Sequence, residues 1–132
     1  MTYTDPPPTR AGIELTVLRR TEHTIVKLRG ELDIATAPVL REGLVAALRP
    51  GTRRLILDLA GVPFCDAAGL AVLIGTRRRA AALGIVLLLT SPGPQVTSVL
   101  RVTGLDRSLP VRASVTEALA GSDTGAVARA SR

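Results

Sequence analysis

The chain is predicted to fold as one α/β domain: a mixed, mostly parallel sheet of four to five strands with about four helices. Three observations predict it. Two short aliphatic runs, Leu55-Ile56-Leu57 continuing to Leu59 and Ile85-Val86-Leu87-Leu88-Leu89, read as strands covered on both faces. Ile13, Leu15 and Val17, then Val26 and Leu28, alternate with polar residues, as the strands of an antiparallel hairpin do. Between and after these runs lie segments with helical apolar spacing, each bounded by capping residues, Gly or Pro.

Residues 1–12 carry Pro6-Pro7-Pro8 and read as an extended arm without a secretory apolar core. Order is expected over residues 13–120, beginning with the hairpin, whose turn spans Arg19 to His23. The lone His23 has no second histidine to share a metal and reads as a surface residue. Gly30 ends the second strand, and Glu31-Leu32-Asp33 lead to a helix entry at Thr36-Ala37-Pro38, where a proline costs no amide bond. That helix is expected to run to Arg49, with Leu40, Leu44 and Leu48 as its buried stripe and Pro50-Gly51 as its stop.

The third strand, ending near Leu59, hands over through Gly61 and Pro63 to a second helix. Asp66 stands at its N-cap, where a carboxylate accepts from first-turn amides and suits the positive end of the helix dipole. Leu70, Leu73 and Ile74 share one face, Arg77-Arg78-Arg79 suit the last turn, and Gly84 closes the helix. After the strand at Ile85 to Leu89, Thr90-Ser91-Pro92-Gly93-Pro94 breaks the run, and Pro94 starts a third helix carrying Val96, Val99 and Leu100, closed by Gly104. A short strand at Leu109 to Val111 and a capping box, Ser114-Val115-Thr116-Glu117, introduce a last helix. Residues 121–132 lack an apolar period and read as a disordered tail.

At 132 residues one core suffices, and with 46% hydrophobic but 2% aromatic residues that core is aliphatic. Cys65 has no partner for an intramolecular disulfide, which fits a reducing compartment; its apolar neighbours favour a packed thiol over a redox sensor. No apolar stretch reaches the roughly 20 residues of a membrane span, so no membrane insertion is expected. The net charge of +6 is uneven: from Asp66 to Arg112 the acids are Asp66 and Asp106, against six arginines. Such a face could steer an acidic partner or phosphorylated groups, but arginines at a helix end are more often a solvated cap; nucleic-acid binding would want a recognition helix or interleaved aromatics, and Tyr3 and Phe64 offer little of the second. No phosphate loop, dinucleotide fingerprint or nucleophile triad is present; Asp58 and Asp66 suit amide bonding better than acid and base work. No catalytic residue, metal or cofactor is therefore expected.

Asp66-Ala67-Ala68-Gly69-Leu70, together with Gly30-Glu31-Leu32-Asp33 before Thr36-Ala37-Pro38 and Thr103-Gly104-Leu105-Asp106 near the end, resembles the signature of STAS domains, the anti-sigma factor antagonists of bacterial partner-switching. The resemblance spans roughly residues 13–120. It implies a cytoplasmic STAS-type domain whose partner is an anti-sigma factor, a serine kinase of the histidine-kinase-like ATPase fold. It also implies a partner-binding edge made of Glu31, Asp33, Thr36, Cys65, Asp66, Ala67, Ala68 and Gly69. The family's central motif is Asp-Ser-Ser-Gly-Leu, and its first serine is the usual phosphate acceptor; this chain has Ala67 there. An antagonist that this phosphorylation step cannot switch off is the expectation. Thr36, Thr90 or Ser91 offer other hydroxyls on the same edge, though each also suits capping or closing a turn. Two further settings stay open: the regulatory STAS subunit of a lipid-transport ATP-binding cassette complex, and a small-ligand-binding or enzymatic domain. Whether the chain is a monomer or a homodimer stays open too.

Overall fold

The computed structural model describes residues 12–120; the expected arm, apart from Gly12, and the expected tail lie outside the described residues. Two antiparallel strands open the domain, β1 (Ile13–Arg19) and β2 (His23–Gly30), followed by α1 (Ala37–Ala47), β3 (Arg54–Gly61), α2 (Ala67–Ala82), β4 (Val86–Thr90), α3 (Pro94–Val102), β5 (Val111–Arg112) and α4 (Val115–Ala120). The strands form one five-stranded sheet in sequence order. Only the β1–β2 pairing is antiparallel; β2, β3, β4 and β5 run parallel.

Alternation along each strand sorts the sheet into two faces. Val26, Leu28, Leu55, Leu57, Leu59, Leu87 and Leu89 face the main core, which α1, α2 and α3 close with Leu40, Leu44, Leu70, Leu73, Val96 and Leu100. On the other face Ile25, Ile56 and Leu88 meet Ala118 of α4 in a smaller cluster. There Arg54, only 5% exposed, donates from its guanidinium to the Ala118 carbonyl at 3.0 Å, tying α4 to the start of β3.

Boundaries shift where local chemistry requires it. His23 opens β2 instead of lying in the turn, because the Arg20 amide donates to the His23 carbonyl at 2.7 Å and closes the hairpin early. α1 stops at Ala47, not Arg49, since Leu48 leaves helical geometry with ψ at 87°; Leu48 still packs on the core. β5 starts at Val111, because Pro110 has no amide to give the ladder and offers only its carbonyl, which accepts from Leu89 at 2.8 Å. The end of α2 is as expected: Gly84 takes φ 75°, the Ile85 amide reaches the Ala80 carbonyl at 2.8 Å and the Gly84 amide reaches Ala81 at 3.1 Å, a Schellman closure. At α4 the Glu117 amide donates to Ser114 Oγ at 3.0 Å, and the Glu117 carboxylate reaches back to the Ala113 amide at 3.3 Å.

Candidate functional site

Parallel β2, β3 and β4 deliver three turns to one end of the sheet: residues 30–36, 62–68 and 90–94. The first two are stitched together. The Leu32 amide donates to the Phe64 carbonyl at 2.9 Å and the Asp66 amide to the Leu32 carbonyl at 2.9 Å, forming a parallel bridge between Leu32 and Cys65. The third element joins through Gln95 of α3, whose Oε1 accepts from the Cys65 amide at 2.9 Å and whose Nε2 donates to the Cys65 carbonyl at 3.1 Å.

Asp66 caps α2 as its position requires, Oδ1 accepting from Ala68 N at 2.8 Å and Gly69 N at 3.1 Å. Asp33 makes the equivalent closure of the first turn, its Oδ1 accepting from the Ala35 and Thr36 amides, both at 3.0 Å. Asp58 likewise accepts from the Ala60 amide at 3.0 Å. The expected contact residues divide by direction. Glu31 and Ala67 are exposed, Asp33, Asp66 and Ala68 are half-buried, and Thr36, Cys65 and Gly69 are buried beneath them, where they build the turns.

The other hydroxyls of this edge each donate to a backbone carbonyl. Thr36 Oγ1 donates to the Glu31 carbonyl at 2.8 Å and accepts from the Asp33 amide at 2.9 Å. Thr90, fully buried, donates to the Leu57 carbonyl at 3.3 Å, and Ser91 donates to the Ala113 carbonyl at 3.2 Å from a left-handed backbone with φ 55°. Ala67, the first residue of α2, is the outward position beside the Asp66 cap.

Burial, with the Asp66 carboxylate adding to it, pushes the Cys65 thiol up from 9.0 to about 12. Its Sγ donates to the Asp66 carbonyl at 3.6 Å. Native protein at mildly alkaline pH should therefore resist iodoacetamide, with labelling by mass tracking urea unfolding; fast labelling of folded protein would contradict the packed thiol. The folded state holds this proton more tightly, so the stability it contributes is fully present below 9.0 and is lost as pH rises towards about 12.

The sequence reading gave no role to Gln95 and did not foresee the joining of Leu32 to Phe64 and Cys65. The Gln95 clamp joins residues 30 apart and has no local signal. The arginines of α2 lie where the sequence puts them: Arg77, Arg78 and Arg79 stand towards the C-terminal end of the helix, away from the turns that begin it. Within the turns themselves stand Glu31, Asp33 and Asp66 and no lysine or arginine; Arg29 and Arg112 belong to flanking strands.

A mixed sheet with an antiparallel first strand, followed after its central strand by an aspartate-capped helix, defines an α/β domain of STAS type. The chain belongs to the STAS domain family, whose model matches residues 14–118. Among curated relatives, the anti-sigma-B factor antagonist of Staphylococcus aureus (strain NCTC 8325 / PS 47) is 31% identical over 80 residues, 61% of this chain and 74% of that protein. Among solved structures, an anti-sigma factor antagonist from Mycobacterium paratuberculosis superposes with a TM-score of 0.76 at 24% identity, covering 91% of this chain and 97% of that one. The murine Slc26a9 anion transporter contains the same fold: TM-score 0.69, 22% identity, 77% of this chain but 18% of that one. No described helix is long and apolar enough to cross a membrane.

Proposed function

We propose that the chain is an anti-sigma factor antagonist that binds an anti-sigma factor, a serine kinase of the histidine-kinase-like ATPase fold, and that phosphorylation at the usual position cannot release it. The observation that carries this reading is Ala67, exposed at the start of α2 beside the Asp66 cap. A phosphate there would add up to about two negative charges to a surface that already holds Asp66. With a methyl group in that place, the binding-competent state is permanent.

The supporting geometry is a preorganised edge: two turns bridged through Leu32 and Cys65 and locked from α3 by Gln95. Such rigidity lowers the ordering cost of association. The test uses the purified serine kinases of this fold from the source organism with labelled ATP. The unaltered chain should bind one of them and stay unlabelled, while Ala67→Ser should be labelled and, once labelled, released. An A67S protein that stays unlabelled while a standard antagonist takes label in the same tube would overturn the switch reading.

A further inference from the structure

The end of the sheet opposite the turns at residues 30–36 and 62–68 is chemically their reverse. β2, β3 and β4 begin there, and α1 and α2 end there. Three segments cross it: residues 19–23, 48–54 and 77–86. Glu22 is their only acid, and each carries arginines, all exposed except Arg54, which donates to Ala118.

Backbone bonds lace these segments into one surface. The Arg53 and Arg54 amides donate to the Glu22 carbonyl at 2.7 and 3.3 Å, and the Val86 amide donates to the Arg53 carbonyl at 2.9 Å. Arg19 reaches the Ala46 carbonyl at 3.4 Å and brings in the end of α1. A hollow of about 350 Å³ shared by Arg77, Ala81, Val86 and Pro110 carries the surface across from α2. Leu119, near the end of α4, shares a second hollow with Arg20 and His23. Positive charge is crowded here. Burial, with the Arg49 charge adding to it, holds the Arg19 guanidinium below its ordinary pKa, and the one acid, Glu22, lies 3.9 Å from Arg53.

Apolar side chains stand among the arginines. Leu83 is 61% exposed, Leu119 39% and Val86 37%. Leu83 is fixed in that position, because its amide donates to the Arg79 and Ala80 carbonyls at 3.2 and 3.0 Å in the closing turn of α2. Together these features select a class of partner. Arginines contributed by three segments across one end of the domain match a broad anionic surface, and exposed leucine and valine among them match a surface with an apolar layer beneath its charges. A nucleic acid presents the charges without that layer, so Leu83 would gain nothing from it.

We propose that this end of the domain docks on an anionic lipid bilayer, with Arg77, Arg78 and Arg79 meeting lipid phosphates and Leu83 entering the layer beneath them. Such docking is independent of the antagonist reading: Ala67 stands at the other end of α2, about 20 Å away, and its edge stays open.

The test sediments the full chain with vesicles of equal parts phosphatidylcholine and phosphatidylglycerol, and compares phosphatidylcholine vesicles and a DNA duplex. The unaltered chain should bind the mixed vesicles at low salt, lose most of that binding at high salt, and ignore phosphatidylcholine alone. Arg77→Gln, Arg78→Gln and Arg79→Gln together should weaken binding about 100-fold, and Leu83→Ser about tenfold, with melting temperatures little changed. Ala67→Asp should bind vesicles as the unaltered chain does. No binding to mixed vesicles at low salt would overturn the proposal, as would full binding by L83S or by the arginine variant. Capture of the duplex with the vesicles ignored would put a nucleic acid in place of the lipid and overturn it too.

Discussion

Gly69→Ala is expected to destabilise the domain by roughly 2 kcal/mol, whereas Gly75→Ala in the same helix is expected to stabilise it by about 0.5–1 kcal/mol. Helix propensity favours alanine at both positions. The difference lies in what a methyl group would meet. A Cβ on Gly69 falls 2.6 Å from the Leu32 carbonyl oxygen, 2.7 Å from Leu32 Cβ and 2.9 Å from the Leu32 carbonyl carbon. Two of those atoms are backbone, so no rotamer change relieves the clash. Relief must come from moving α2 away from the first turn, and that turn is held by the Asp66 amide bonding to the same Leu32 carbonyl. At Gly75 nothing lies within 4 Å of the added carbon.

Thermal melts would read the contrast directly: for a domain of this size, 2 kcal/mol corresponds to a fall of roughly 8 °C, against a rise of a few degrees for Gly75→Ala. G69A should also lose partner binding, since the two turns of the proposed docking edge separate. An unchanged melting temperature in G69A would mean that the turns are less closely joined than these distances imply.

Gly69 also shows where sequence reasoning reaches and where it stops. The aspartate cap, the Schellman closure at Gly84 and the capping box at Ser114 are local, so residue type and spacing reveal them. The first four strands are legible because their apolar runs or alternations, though short, are local and uninterrupted. The joining of the turns is different. Leu32 and Cys65, or Cys65 and Gln95, are distant in the chain, and nothing in Gln95 separates a clamp from an ordinary helical glutamine. Nor does local pattern tell Leu32, which is fully buried, from Ile34, which is 78% exposed: both are branched aliphatics in one short turn. Which of them turns inward follows from the bridge to Cys65, a tertiary fact. The same holds for Thr36 and Cys65, placed on the edge by resemblance and found to support it from beneath.

Ala67→Asp is expected to abolish high-affinity binding to the anti-sigma kinase, by about 100-fold or more, without weakening the fold. The two effects have separate causes. At the first position of α2 a carboxylate faces the positive end of the helix dipole, worth about 0.3–1 kcal/mol, partly offset by its neighbour Asp66. Ala67 is exposed, so no packing is disturbed. The melting temperature should therefore hold or rise slightly at low salt, with the gain fading as salt is added. In the complex the same carboxylate would lie beside Asp66 on the surface proposed to meet the partner, where it loses its water and gains no partner, a cost of several kcal/mol. A change that is neutral for folding and severe for binding cannot be explained by unfolding, which gives this variant its discriminating power. Wild-type affinity in a fully folded A67D protein would move the contact surface off the α2 N-terminus and, with it, the reason for reading Ala67 as a disabled switch.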